Sequence, residues 1–225
     1  MREKTLFFAL SVLMVVVLGA GGFYLYHVLT RVEPGPLVEE VLQDALRASY
    51  YRYQISAEFE IEGRKQKWSQ VVGEKSGNNF HIKGNILGTP VDIYQIGMKT
   101  YSCDPVSERW VILEGNDLSG EQMFMAEINP LKNFRFKRIG EPQLVGIEKM
   151  GKKKCWVIEF SPQVENDYLE AWWQNFTYRL WIDRKNHQLV QAKVTAENKN
   201  SPGSFLSLVI TFQDFHKKFE IKPPQ

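Results

Sequence analysis

Histidines are the first residues to consider for acid–base or metal chemistry, and their spacing in this chain is unfavourable for both. His27 lies within a long apolar stretch, and His81, His187 and His216 are isolated from one another. The sequence has no HExxH pair, nucleophile elbow, phosphate-binding glycine loop or dinucleotide-binding glycine pattern. We therefore predict that the protein is not an enzyme and needs neither a metal ion nor a cofactor.

The two cysteines, Cys103 and Cys155, form a candidate disulfide. Each falls in a predicted strand of a chain that we expect to be exported, so both would meet an oxidising compartment. In the loop-entropy model a bond between them would stabilise the fold by about 3–4 kcal/mol. The alternative is two separate buried thiols.

Large apolar side chains are the remaining candidates for a binding role. Several predicted strands, such as those in 154–161 and 204–216, are apolar on both faces. A curved sheet of such strands either encloses a packed core or lines a cavity for an apolar ligand. Methionine adapts its shape to its neighbours, so the cluster Met123-Phe124-Met125 would suit a cover over such a face. The residues by themselves leave both interpretations open.

A period of two places these side chains on strands. Apolar residues at 53, 55, 57, 59 and 61 alternate with polar ones, which is typical of a half-buried strand. Similar segments recur at roughly ten-residue spacing between Gly, Asn and Pro turns, and predict an antiparallel meander of about eleven strands.

Four segments interrupt the strands with helical patterns. An amphipathic helix is predicted over 36–53, a helix over 117–128, a helical turn over 131–138 and a short helix over 165–175. We expect the insert 117–138 to cover one opening of the curved sheet.

The N-terminal segment predicts a membrane anchor. Residues 6–29 contain no Asp, Glu, Lys or Arg, and as a helix they would span about 36 Å, enough for a bilayer core of about 30 Å. Arg2 and Lys4 precede the segment, which favours an extracytoplasmic body. The predicted divisions are a cytoplasmic 1–5, a transmembrane 6–29, a linker 30–36 and one domain over 37–225. A signal peptide cleaved near Gly19–Gly22 is the alternative.

The charge balance excludes one class of partner. The formal net charge is +2 at pH 7, which is close to neutral for a chain of 225 residues. Nucleic-acid binding therefore has no electrostatic basis in this sequence.

Three segments of the C-terminal third form a recognisable pattern. They are YRLWIDRKNHQLVQAKV at 178–194, LVITFQDF at 208–215 and FEIKPP at 219–224. The N-terminal part adds YQISAEFEIEG and IYQIGMKTYSCDP. Together they make the chain similar to the lipoprotein-carrier superfamily. This group includes the LolA and LolB carriers, the mycobacterial LppX/LprG lipoproteins and the N-terminal domain of RseB-type regulators.

The resemblance implies a fold and a ligand. The fold is mainly β, a strongly curved antiparallel half-barrel sheet of about eleven strands wrapped around helices. The ligand is an acyl chain of a membrane lipid or lipoprotein, held in the apolar interior. On this chain the predicted lining is Phe59, Ile61, Trp68, Ile82, Ile93, Met123, Phe124 and Met125.

The chain departs from these relatives in its membrane attachment. It has no cysteine near Gly19–Gly22 for lipid attachment, and the predicted anchor would prevent long-range shuttling. The expected function is therefore local binding of acyl chains by a membrane-anchored extracytoplasmic protein. The alternative is a fully packed regulatory or structural domain of the cell envelope that binds other proteins and no lipid.

Overall fold

The computed structural model describes residues 32–115 and 128–224. The predicted anchor at 6–29, the cluster Met123-Phe124-Met125 and nearly all of the predicted helix at 117–128 lie outside these residues. Within the described part of the chain, no helix has the length and apolar character needed to cross a membrane. Residues from Pro34 onward form one compact unit.

Helix α1 (Pro34–Arg47) opens this unit. Proline is favoured in the first turn because its missing N–H would have no helical partner there, and Arg47 in the last turn suits the negative end of the helix dipole. A stripe of apolar side chains is buried along one side: Leu37, Val38, Val41, Leu42 and Ala45. This is the amphipathic helix that the sequence predicted.

The C-terminal end of that prediction is wrong, because the aromatic run from Tyr50 onward is already part of a strand. Strand β1 (Tyr50–Ile61) pairs along nearly its whole length with a neighbour on each side. Extending the helix to residue 53 would remove the first of these pairs. Aromatic residues are in any case favoured in strands.

Among the described residues, twelve further strands, one 3₁₀ helix and one short helix follow β1. They are β2 (Arg64–Ser76), β3 (Asn79–Ile86), β4 (Thr89–Ile96), β5 (Lys99–Cys103), β6 (Trp110–Glu114), the 3₁₀ helix (Pro130–Phe134), β7 (Phe136–Arg138), β8 (Gln143–Met150), β9 (Lys153–Phe160), β10 (Gln163–Val164), α2 (Asp167–Trp172), β11 (Trp173–Asp183), β12 (Leu189–Asn198) and β13 (Phe205–Gln213).

Eleven of the strands form one curved antiparallel sheet, in the order β6-β5-β4-β3-β2-β1-β13-β12-β11-β9-β8. Among the described residues β6 and β8 are the two edges and do not pair with each other, so the sheet does not close into a barrel. Strands β7 and β10 form a separate pair. The predicted curved antiparallel sheet of about eleven strands is confirmed, and its central pair joins the N-terminal strand β1 to the C-terminal strand β13.

Most of the buried apolar side chains of this sheet lie on one face, and we call it the inner face. Tyr51, Tyr53 and Ile55 of β1 point to it, and so do Ile210 and Phe212 of β13, all of them buried. Helix α1 packs against the 3₁₀ helix and touches β8 and β12. The ring of Phe134, in the 3₁₀ helix, meets those of Tyr178 on β11 and Phe212 on β13 edge to face.

Three tyrosine hydroxyls hold the segment Ile128–Phe134 on the inner face. Tyr53 donates to the carbonyl oxygen of Ile128 at 3.1 Å, and Tyr51 donates to Oδ1 of Asn129 at 3.1 Å. Tyr178 donates to the carbonyl oxygen of Asn133 at 2.9 Å. Burial raises the pKa of the Tyr51 and Tyr178 phenols above their ordinary value, so both remain protonated donors.

Gly73 makes room for one of these tyrosines. A Cβ at this position would lie 2.2 Å from Cζ of Tyr53, whose ring is buried and held by its hydrogen bond. We expect Gly73→Ala to displace the ring and to lower the free energy of unfolding by about 1–3 kcal/mol. Denaturant unfolding monitored by circular dichroism would measure the change.

Gly146→Ala on β8 is the matched control, since no atom lies within 4 Å of a Cβ built there. It should change the stability by less than about 0.5 kcal/mol. Equal stability of the two variants would contradict the close packing of Tyr53 on Gly73.

Candidate functional site

A row of neighbouring residues on the inner face crosses six strands, and we call it the inner row. Directly paired residues of adjacent strands share a face, so the pairings define the row step by step. It consists of Tyr53, Gly73, Ile82, Ile93, Ser102 and Val111.

Exposure rises along the inner row toward the edge of the sheet. Ile82 is 0% exposed, its partner Ile93 is half-buried, and Val111 on edge strand β6 is 48% exposed. Leu113, two residues further on and on the same face, is also exposed. The inner face of β4–β6 therefore presents apolar side chains that the described residues leave partly uncovered.

A second apolar surface lies at the far end of β1, and we call it the aromatic cluster. The ring of Phe59 stands edge to face with that of Trp68, with centroids 4.9 Å apart, and stacks on that of Trp173 at 5.5 Å. Trp68 lies where the β1–β2 register shifts, an irregularity that can re-aim a side chain. All three rings are half-buried.

The structure describes five of the eight predicted lining residues and places four of them in two groups. Phe59 and Trp68 belong to the aromatic cluster, and Ile82 and Ile93 are direct partners in the inner row. Ile61, the last residue of β1, is paired with Arg64 beside the β1–β2 turn and is exposed. Met123, Phe124 and Met125 lie outside the described residues, so their part in the lining stays a prediction.

The sequence analysis did not identify three residues of these two apolar surfaces. Val111 and Leu113 stand in a continuous apolar run, WVIL, that carries no period-two signal to assign a face. Trp173 reaches Phe59 from β11, three strands away, and only the pairing order brings the two rings together.

The opposite face of the sheet, which we call the outer face, is polar around His81. Nε2 of His81 lies 2.9 Å from Oδ1 of Asp92, and Nζ of Lys83 lies 2.8 Å from the other oxygen of that carboxylate. The hydrogen bond from Lys83 to Asp92 raises the pKa of Lys83. Tyr94 stacks on the imidazole with centroids 3.8 Å apart.

The other two described histidines each stand beside one carboxylate. Nδ1 of His187 lies 3.3 Å from Oε1 of Glu40, and Nε2 of His216 lies 3.1 Å from Oδ2 of Asp44. Within the described ranges no group of three or more His, Cys, Asp or Glu side chains could hold a metal ion. The pairs His187–Glu40 and His216–Asp44 link a turn and a strand end to helix α1.

The candidate disulfide is wrong in this structure. Cys103 on β5 and Cys155 on β9 are both free, and seven strands of the sheet lie between theirs. Neighbouring strands are about 4.8 Å apart, whereas a disulfide needs Cα atoms within about 7 Å. The number of residues between the two cysteines does not indicate their distance in the fold, because that distance depends on the strand order.

Comparisons with known proteins bear on the fold. No protein-family model matches the sequence, and the curated proteins gave no match. Among solved structures, the lipoprotein LppX of Mycobacterium tuberculosis matches with a TM-score of 0.53 and 10% identity, over 83% of this chain and 97% of that one. This chain has an LppX-like fold.

Two further structures align over similar lengths with lower scores. LprF of Mycobacterium bovis matches at a TM-score of 0.49 and 12% identity, over 86% of this chain and 99% of that one. The LolA superfamily protein NE2245 of Nitrosomonas europaea matches at 0.33 and 13%, over 86% and 96%. The match to LppX confirms the resemblance seen in the sequence as a resemblance of fold.

The two thiols should differ in reactivity. Burial raises the pKa of the Cys155 thiol, which is 0% exposed, whereas Cys103 is half-buried. A thiol-specific maleimide should therefore modify Cys103 much faster than Cys155 in the folded protein, and both equally in denaturant. Peptide mapping after timed labelling would measure the two rates.

Cys103→Ser serves as the control and should remove the fast reaction. A chain that takes up no label until it is reduced would restore the disulfide interpretation.

Proposed function

We propose that this chain is a membrane-anchored extracytoplasmic protein that binds acyl chains of lipids or lipoproteins on the inner face of its sheet. The observation that carries the proposal is the inner row, whose apolar residues become more exposed from Ile82 to Val111. Apolar surface of this kind on one face of a curved sheet is a natural place for an apolar ligand.

The dimensions of the inner row suit an acyl chain. From Tyr53 to Val111 the row takes five steps between neighbouring strands, or about 24 Å at about 4.8 Å a step. An extended acyl chain spans one leaflet, about half of a hydrocarbon core of about 30 Å. The row is therefore long enough for one such chain to lie across the strands.

The energetics require no charged contact. Burying a chain of about a dozen methylenes contributes about 10 kcal/mol before the cost of association, at about 0.8 kcal/mol for each methylene. The inner row supplies only apolar or small neutral side chains and one tyrosine. Such a surface would hold hydrocarbon without selecting its length.

The proposed lining has two parts. The aromatic cluster contributes Phe59 and Trp68, with Ile61 beside them, and the inner row contributes Ile82 and Ile93. Met123, Phe124 and Met125 are proposed to close over the ligand from the segment between β6 and the 3₁₀ helix. That segment leaves the free edge of the sheet and ends at Ile128, which is buried on the inner face.

Strand β6 allows a sharp test, because neighbouring residues of similar size and exposure face opposite sides. Val111 is on the inner face at 48% exposure, and Ile112 is on the outer face at 53%. We expect Val111→Asp to reduce the lipid that copurifies with the full-length chain at least fivefold, because a carboxylate beside hydrocarbon must be desolvated. Ile112→Asp should leave the bound lipid unchanged.

Native mass spectrometry of the detergent-purified chain, with extraction and quantification of the lipid, would measure both variants. Similar melting temperatures would show that neither substitution unfolds the domain. Equal lipid content in the two variants would argue against the inner row as the binding surface. A wild-type chain that takes up no lipid would favour the alternative of a packed domain for protein partners.

The proposed anchor has its own test. If residues 6–29 are retained, the intact mass of the membrane-bound protein should match the whole sequence, with at most the initiator methionine removed. A mature chain beginning near Phe23 would replace the anchor by a cleaved signal peptide.

A further inference from the structure

One buried hydroxyl on the inner face is not satisfied by the described part of the protein. Ser69 on β2 is 2% exposed, and its Oγ has no hydrogen-bond partner there. Buried polar side-chain atoms nearly always have a partner in the protein or in ordered water, so an exception calls for an explanation.

The position of Ser69 directs its hydroxyl to the proposed ligand surface. Ser69 is paired with Ala57 on β1 and with Ile86 on β3, and both partners are buried on the inner face. Along its own strand, Trp68 of the aromatic cluster precedes it and the buried Val71 is the next residue on its face. Ser69 thus lies between the aromatic cluster and the inner row.

The surroundings of Ser69 also indicate which ligand atom it would meet. The side chains of Ala57, Ile86 and Val71 are apolar and offer no counter-ion. The nearest lysine in sequence, Lys67, has its Nζ 3.5 Å from Oε1 of Gln70, a residue of the outer face. A buried carboxylate would lack a compensating charge here, whereas a neutral carbonyl oxygen needs only a donor.

We propose that Ser69 donates a hydrogen bond to the ester carbonyl oxygen of an acyl chain bound on the inner face. The inference rests on the proposed function and names the ligand class more closely, as a neutral acyl ester rather than a free fatty acid. The hydroxyl would fix where the polar end of the chain lies, next to the aromatic cluster. The hydrocarbon would then extend over the inner row.

Matched ligands separate this hydrogen bond from hydrocarbon binding. Delipidated full-length chain, in a maltoside detergent that carries no ester, is equilibrated with methyl palmitate, octadecane or palmitate, and bound ligand is quantified by native mass spectrometry. The variants are Ser69→Ala and, as a control, Ser56→Ala, since Ser56 lies on the outer face of the neighbouring strand.

The expected result is a loss of ester selectivity. Wild type and Ser56→Ala should prefer methyl palmitate to octadecane and to palmitate, and Ser69→Ala should bind methyl palmitate about three- to tenfold more weakly with octadecane unchanged. The melting temperature of the lipid-free chain should not fall in Ser69→Ala, because the variant removes an unsatisfied hydroxyl.

Other results would overturn the inference in distinguishable ways. Unchanged ester affinity in Ser69→Ala would remove the role of Ser69 while acyl binding stands. Equal weakening for ester and alkane, or a lower melting temperature, would make the hydroxyl structural, for example as a partner of ordered water. Tighter binding of palmitate than of its ester would overturn the ligand class, and no binding of any ligand by wild type would refute the proposed function itself.

Discussion

The inner face of one sheet is the constraint on which the rest of this structure depends. Eleven strands in a single open sheet form a broad apolar face, and the described residues contribute few helices to cover it. Helix α1 and the 3₁₀ helix are the helices placed for this task over the half of the sheet centred on β13. Tyr51, Tyr53 and Tyr178 hold the segment Ile128–Phe134 there through hydroxyls that donate to buried or half-buried acceptors.

The half of the inner face formed by β4–β6 is less buried than the half centred on β13. Beyond β3 the described residues provide no helix, and apolar side chains on β4–β6 become progressively more exposed. Apolar side chains that are partly exposed and not packed in the core suit contact with an apolar ligand or with another protein segment. The exposed end of the inner row on β6 thereby lies apart from the packed core around Tyr53.

The sequence predicted the elements better than their positions relative to one another. The period-two alternation of β1 and the Gly, Asn and Pro turns were sufficient for an antiparallel sheet, because both are local signals. Helix α1 was predicted two residues late at its start and ran into β1 at its end, since a run such as YYRY reads equally well as either element. The pairing of β1 with its two neighbours resolves the ambiguity.

In the candidate site, some residues could be identified from local sequence and others only from the strand order. Phe59 could be chosen from the apolar face of β1, and Ile82 and Ile93 from the strands predicted to follow it around the sheet. The contact of Trp68 with Phe59 depends on the register shift between β1 and β2. The stacking of Trp173 on Phe59, the exposure of Val111 and the wide separation of Cys103 from Cys155 could not be identified from local sequence. Each depends on which strand lies beside which, and strand order is a non-local property that alternation within a strand does not encode.

By itself, the sequence determined the class of the protein: mainly β, of nearly neutral charge and without a catalytic or metal-binding motif. Those conclusions need only composition and short-range periodicity. The tertiary structure decided which apolar residues became core and which stayed accessible, and it left the hydroxyl of Ser69 buried among apolar neighbours. The physical reason is that burial is set by contacts between residues far apart in the chain, and these exist only once the sheet has formed.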